Sequence, residues 1–105
     1  QCLAVYVAPW CGYCRKATPL IKELRHVLRA QGVESWVIVG QDEIGVVREY
    51  AREFGKGALM DTERAINPGG VPHFYVVEQG GAVLRQVAGL PPNPADLLAF
   101  ALENR

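Results

Sequence analysis

A strand-length apolar run leads directly into two cysteines that open a helix, and this junction near the start of the chain restricts what can follow it. Leu3-Ala4-Val5-Tyr6-Val7 is short, apolar and partly β-branched, and it stops at Ala8-Pro9, where Pro9 has no amide hydrogen to continue a ladder. From Cys11 onward Ala17, Leu20, Ile21, Leu24, Val27 and Leu28 recur at three- and four-residue steps, while Arg15, Lys22, Glu23, Arg25 and Arg29 fall between them. That is the pattern of a helix with one buried stripe. Gly32 ends it, and Pro19 falls inside it, where the missing amide hydrogen predicts a kink. A buried strand feeding a helix requires further sheet to pack on, so the junction points to an α/β layer structure.

The rest of the chain supplies it. Ser35 to Val39 reads as a second buried strand, and Asp42 is placed to cap a helix whose apolar positions are Ile44, Val47, Ala51 and Phe54. The segment from Gly55 to Gly70 interrupts the pattern and reads as an insertion. It holds Ala58-Leu59-Met60, a candidate extra strand, then Asp61-Thr62-Glu63 and Asn67-Pro68-Gly69-Gly70. Phe74 to Val77 and Ala82 to Val87, joined through Gln79-Gly80-Gly81, predict a hairpin with glycine supplying positive φ. Asn93 as cap, Pro94 at the first helical position and Asp96 in the first turn predict a last helix running to about Glu103. The order β-α-β-α-β-β-α implies a mixed central sheet with helices on both faces, in one domain over residues 1–105.

Charge and hydropathy narrow the partners. Lys and Arg number 11 against 11 Asp and Glu, so no long-range field is available to hold nucleic acid, and the basic residues are scattered. The longest apolar stretches, such as Val37 to Val39 and Phe74 to Val77, fall far short of the roughly 18 residues that a bilayer span needs. Because Gln1 is followed at once by a strand, a further segment is expected upstream, with a signal peptide or membrane anchor left open.

The three cysteines, Cys2, Cys11 and Cys14, are too few and too clustered for a disulfide scaffold, which leaves chemistry as their purpose. At a helix start, free amides and the positive dipole end favour a thiolate on Cys11, making it the attacking sulfur. Cys14, one turn later, is within reach of a disulfide with it and is the natural resolving thiol. A C-x-x-C pair also binds zinc, and Cys2 with His73 would complete a set of four ligands. Against this, Cys2 lies about nine residues, or roughly 30 Å of extended chain, from Cys11. A thiol-based metal-binding or metal-delivery module and a redox-controlled binding domain stand as alternatives to thiol–disulfide exchange.

Trp10-Cys11-Gly12-Tyr13-Cys14, Pro19 eight residues after Cys11, and Gly70-Val71-Pro72 together resemble the thioredoxin superfamily, and the order of elements agrees over essentially the whole chain. The resemblance implies a thioredoxin fold with a short insertion before a cis-proline, Cys11 and Cys14 as the redox pair, and Pro72 as that proline. It implies a docking surface of Trp10, Gly12, Tyr13, Val71, Pro72 and His73, in which Val71 backbone groups pair with an extended substrate segment like an added strand. The insertion and the hairpin turn look more like TlpA-like disulfide reductases than small cytosolic thioredoxins. This implies an extracytoplasmic location, with a cytoplasmic one as the alternative. Expected partners are protein thiols and disulfides, together with an upstream protein redox partner such as a membrane disulfide reductase or a thioredoxin-reductase system. Neither an organic cofactor nor a metal is expected, and the chain is expected to be a monomer.

Three positions depart from the thioredoxin pattern. Gly12-Tyr13 replaces Gly-Pro between the cysteines and is similar to the dipeptide of DsbC-like isomerases, leaving reduction, oxidation and isomerisation open. Val5 stands where thioredoxin has a buried aspartate that assists the resolving cysteine, so the proton acceptor for Cys14 defaults to water. His73 stands where threonine is common. Loss of the proline predicts a couple more oxidising than the roughly −270 mV of thioredoxin, on the order of −180 to −250 mV. Elsewhere Cys2 reads as an inert strand residue, His26 as a solvated surface residue and Trp36 as core.

Overall fold

The computed structural model describes residues 1–55, 57–90 and 94–103. Among them the chain forms β1 (Cys2–Val7), α1 (Gly12–Ala30), β2 (Glu34–Gly40), α2 (Ile44–Arg52), β3 (Ala58–Asp61), β4 (His73–Val77), β5 (Val83–Ala88) and α3 (Pro94–Leu102). The strands make one mixed sheet in the order β3-β2-β1-β4-β5. β1, β2 and β3 are parallel, and β4 and β5 are antiparallel to their neighbours, with a bulge between Val76 and Val77.

Most element boundaries follow from the sequence. α1 runs unbroken through Pro19 and stops at Ala30, after which Gly32 takes a φ of 77° that side chains resist. α2 differs at its start, because Glu43 is the N-cap and makes no side-chain cap bond. The Asp42 carboxylate accepts instead from the Glu43 amide at 2.8 Å. Asn93, the expected cap of α3, lies outside the described residues. The end of α3 is closed by Arg85, whose Nη2 donates to the Phe100 and Glu103 carbonyls at 3.0 Å each.

The segment expected to be an insertion contributes a strand, and this changes the layering. β3 extends the sheet beyond β2, with Ala58 opposite Val37 and Met60 opposite Val39. Two successive right-handed crossovers in the same direction put their helices on the same face. Accordingly, Thr18 of α1 and Tyr50 of α2 share a buried hydrogen bond of 2.9 Å, and α3 packs against α1. The expectation of helices on both faces is therefore corrected: the three described helices share one face.

That face holds the core. Leu3, Val5, Val7, Val37, Val39, Phe74 and Val76 project toward the helices and are at most 1% exposed. The alternate positions Ala4, Trp36, Ile38 and Tyr75 lie on the other face and are partly or largely exposed. Trp36, expected in the core, is 38% exposed there because it stands opposite Ala4 on the face that carries no described helix.

Candidate active site

Above the C-terminal end of β1 the chain makes a tight turn, with the Cys11 amide donating to the Ala8 carbonyl at 3.1 Å, and α1 begins. Cys11 is itself the N-cap of α1: its Sγ accepts from the Cys14 amide at 3.0 Å. A sulfur thus occupies the position that an Asp or Ser oxygen usually fills, where a helix's first amides favour negative charge. From the other side, the Cys11 thiol donates to the Val71 carbonyl at 3.5 Å. Val71 is brought there by the turn before β4, where the Val71–Pro72 bond is cis and the Gly89 amide donates to the Pro72 carbonyl at 2.7 Å.

The two cysteines, both free thiols here, are held differently. Cys11 is 4% exposed at the surface end of the site and Cys14 is fully buried beneath it. Burial, reinforced by its hydrogen bond to Cys11, pushes the Cys14 thiol well above the ordinary thiol range. Trp10 at 61% and Tyr13 at 72% exposure flank the pair, and Gly12 lies in open space between the cysteines.

Trp10, Cys11, Gly12, Tyr13, Cys14, Val71 and Pro72 therefore meet at one end of the sheet. His73 does not join them as a surface residue. It is 6% exposed, its Nδ1 and Nε2 lie 3.3 Å from the Gly70 carbonyl and 2.9 Å from Gln86 Oε1, and its ring stacks on Tyr75. Cys2 lies at the opposite end of β1, and among the described residues no three His, Cys, Asp or Glu side chains converge as a metal set.

Sequence reasoning missed the floor of the site. Thr18 donates to the Cys14 carbonyl at 3.0 Å and shares its hydroxyl with buried Tyr50 of α2. Arg15 lies 4.2 Å over the Tyr50 ring, donates from Nε to the Pro9 carbonyl at 3.0 Å and pairs with Glu53. Tyr50 is 36 residues from Cys14, and no local spacing links the two; its place on the buried side of α2, beside Val47 and Ala51, marks it as core and not as a neighbour of the cysteines. A separate cleft of about 690 Å³ lies along the second half of α1, where Arg25 is bonded to Ser35 and the Phe54 carbonyl.

No family model matches the sequence. The chain is 28% identical over 87 residues to the thiol-disulfide oxidoreductase ResA of Geobacillus kaustophilus (strain HTA426), a match covering 76% of this chain and 49% of that protein. It spans about half the length of the curated relative that it matches. Among solved structures, that of MTB DsbF in its mixed oxidized and reduced forms superposes with a TM-score of 0.75 at 19% identity, over 95% of this chain and 77% of that one. The chain has the thioredoxin fold. A second thioredoxin-fold neighbour is a secreted Mycobacterium tuberculosis disulfide oxidoreductase homologous to Escherichia coli DsbE, with a TM-score of 0.72 at 18% identity, covering 95% of this chain and 78% of that one. StoA from Bacillus subtilis follows with 0.67 at 13%, covering 93% and 79%. Among the described residues, no helix of this thioredoxin fold is long and apolar enough to cross a membrane.

Proposed function

We propose that this thioredoxin-fold domain is an enzyme that exchanges thiols and disulfides with protein partners and works mainly as a reductase. One observation carries the proposal: Cys11 caps its own helix through sulfur at 3.0 Å, directly above a buried Cys14 held protonated. The Cys11 thiolate attacks a partner disulfide, forming a mixed disulfide and expelling one partner thiolate. Cys14 then gives up its proton, attacks Cys11 Sγ and releases the second partner thiol, leaving a Cys11–Cys14 disulfide for an upstream protein to reduce. Val71 and the exposed Trp10 and Tyr13 would receive the partner as an extended segment. The similarity to a secreted Mycobacterium tuberculosis disulfide oxidoreductase supports an extracytoplasmic setting for this reaction.

The exposed Gly12-Tyr13 pair favours isomerase work as a second reading, since it lacks the proline that separates the cysteines of thioredoxin. Titration of the couple against glutathione separates the two. A value near the roughly −270 mV of thioredoxin assigns a reductase and overturns the more oxidising couple that loss of the proline predicts, whereas one well above it assigns an oxidase or isomerase and overturns the reductase reading. Cys11→Ser abolishes turnover of insulin disulfides driven by dithiothreitol, and Cys14→Ser accumulates a mixed disulfide visible by mass spectrometry. Turnover by Cys11→Ser at the unmodified rate would overturn the proposal, and a wild-type protein that isolates with one equivalent of zinc or copper and shows no reversible couple would bring the metal module forward.

A further inference from the structure

Three hydrogen bonds hold the turn that faces the catalytic sulfur. The Val71 carbonyl meets the Cys11 thiol, the Pro72 carbonyl meets the Gly89 amide, and the Gly70 carbonyl lies 3.3 Å from His73 Nδ1. The third depends on a side chain held at both ring nitrogens and on one ring face. His73 Nε2 meets Gln86 of β5 at 2.9 Å, and one ring face lies on Tyr75 with centroids 4.5 Å apart. With Nδ1–H donating to the Gly70 carbonyl, Nε2 accepts from the Gln86 side-chain amide once its oxygen and nitrogen are exchanged, and the ring then ties the Gly70 carbonyl to β5.

We propose that His73 is a positioning residue that sets the Val71 backbone against Cys11 and presents it to the extended, disulfide-bearing segment of a protein partner. It acts through Gly70 and never touches the sulfur or the partner. The inference rests on the exchange reading above for its kinetic consequence, though not for its structural one. A partner that pairs with Val71 feels the displacement of that backbone directly, whereas a small aromatic disulfide feels it only through the long 3.5 Å contact of the Val71 carbonyl with Cys11.

The test uses His73→Phe, which keeps the stacked ring and removes both hydrogen bonds, and Gln86→Ala at an exposed strand position. With dithiothreitol as donor, His73→Phe is expected to raise KM for insulin about fivefold, the loss a single hydrogen bond carries, with kcat changed less than about twofold. Its rate with 5,5′-dithiobis(2-nitrobenzoate) stays within about twofold of wild type. Gln86→Ala raises the insulin KM about two- to threefold, and the double variant is no worse than His73→Phe, because both act on one tether. An unchanged KM, equal slowing of both disulfides, or additive effects would overturn the proposal. Should His73→Phe not fold, Gln86→Ala carries the test. The amide resonances of Cys11 and Val71 give a readout without turnover: they move in the variants if the tether positions the turn, and their staying fixed refutes it. A wild-type protein that turns over neither disulfide would instead refute the exchange reading, leaving the tether to be judged by the spectrum.

Discussion

Cys11 and Cys14 stand three residues apart and experience opposite surroundings. Cys11 receives an amide hydrogen on its sulfur, while Cys14 lies fully buried. In the Cys11→Ser variant, Cys14 is expected to react with iodoacetamide at pH 8 at least about a hundredfold slower than an unhindered thiol, by mass spectrometry. The same burial makes the reduced protein sensitive to alkali. A thiol raised in the folded state contributes stability that is complete below the ordinary value, near about 8.5, and is lost as pH rises through the raised one. Burial raises the Tyr50 and Tyr75 phenols as well, so they add to the loss higher in the alkaline range. Urea midpoints of the reduced protein should fall above about pH 9, and less steeply in Cys14→Ala. The C-x-x-C pair was legible because its spacing and the strand before it are local. The Val71 carbonyl and Tyr50 were not, since one reaches Cys11 and the other reaches the Thr18 hydroxyl beside Cys14 across contacts between elements that no spacing encodes.

Among the elements, β3 was hardest to read. It is four residues long, on the sheet edge, with Leu59 and Met60 largely exposed, so it shows no alternation between a buried and a solvated side. What fixes it is Asp61 at its end. Its carboxylate accepts from the Tyr6 hydroxyl at 2.7 Å and from the amides of Ala65 and Ile66 at 2.8 and 3.2 Å. A side chain at Gly40 would collide with that same Tyr6 hydroxyl, so β2 needs glycine beside the clasp. Burial alone would push the Asp61 carboxyl up, but these three donors outweigh it and hold the group below its ordinary value. Such a carboxylate contributes stability above the unfolded value near about 3.9, lost as pH falls through the lowered one. Asp61→Ala should cost about 1–2 kcal/mol at pH 7 in urea unfolding, and the gap to wild type should close in acid.

At the scale of the molecule, a mixed α/β sheet was legible because helix and strand periods alternate over most of the chain, and the thioredoxin fold because Trp10 to Cys14, Pro19 and Gly70-Val71-Pro72 resemble that superfamily. The sidedness of the helices was not. It depends on where β3 joins the sheet, and Trp36 could be placed only once that was known. A core confined to one face makes a direct contrast. Phe74→Ala, at a fully buried position toward the helices, should cost about 3–5 kcal/mol in urea unfolding. Trp36→Ala, on the other face, should cost less than about 2 kcal/mol. Equal losses would mean that the second face is as tightly packed as the first.

The placement of the two tryptophans has an optical consequence. Trp10 adjoins the reacting sulfurs, whereas Trp36 lies opposite Ala4 in the middle of the sheet. Closing the Cys11–Cys14 disulfide should quench the indole beside it and leave the other a steady background, so Trp36→Phe sharpens the emission change between oxidised and reduced protein and Trp10→Phe removes it. The chain would then report its own redox state by fluorescence, without a label.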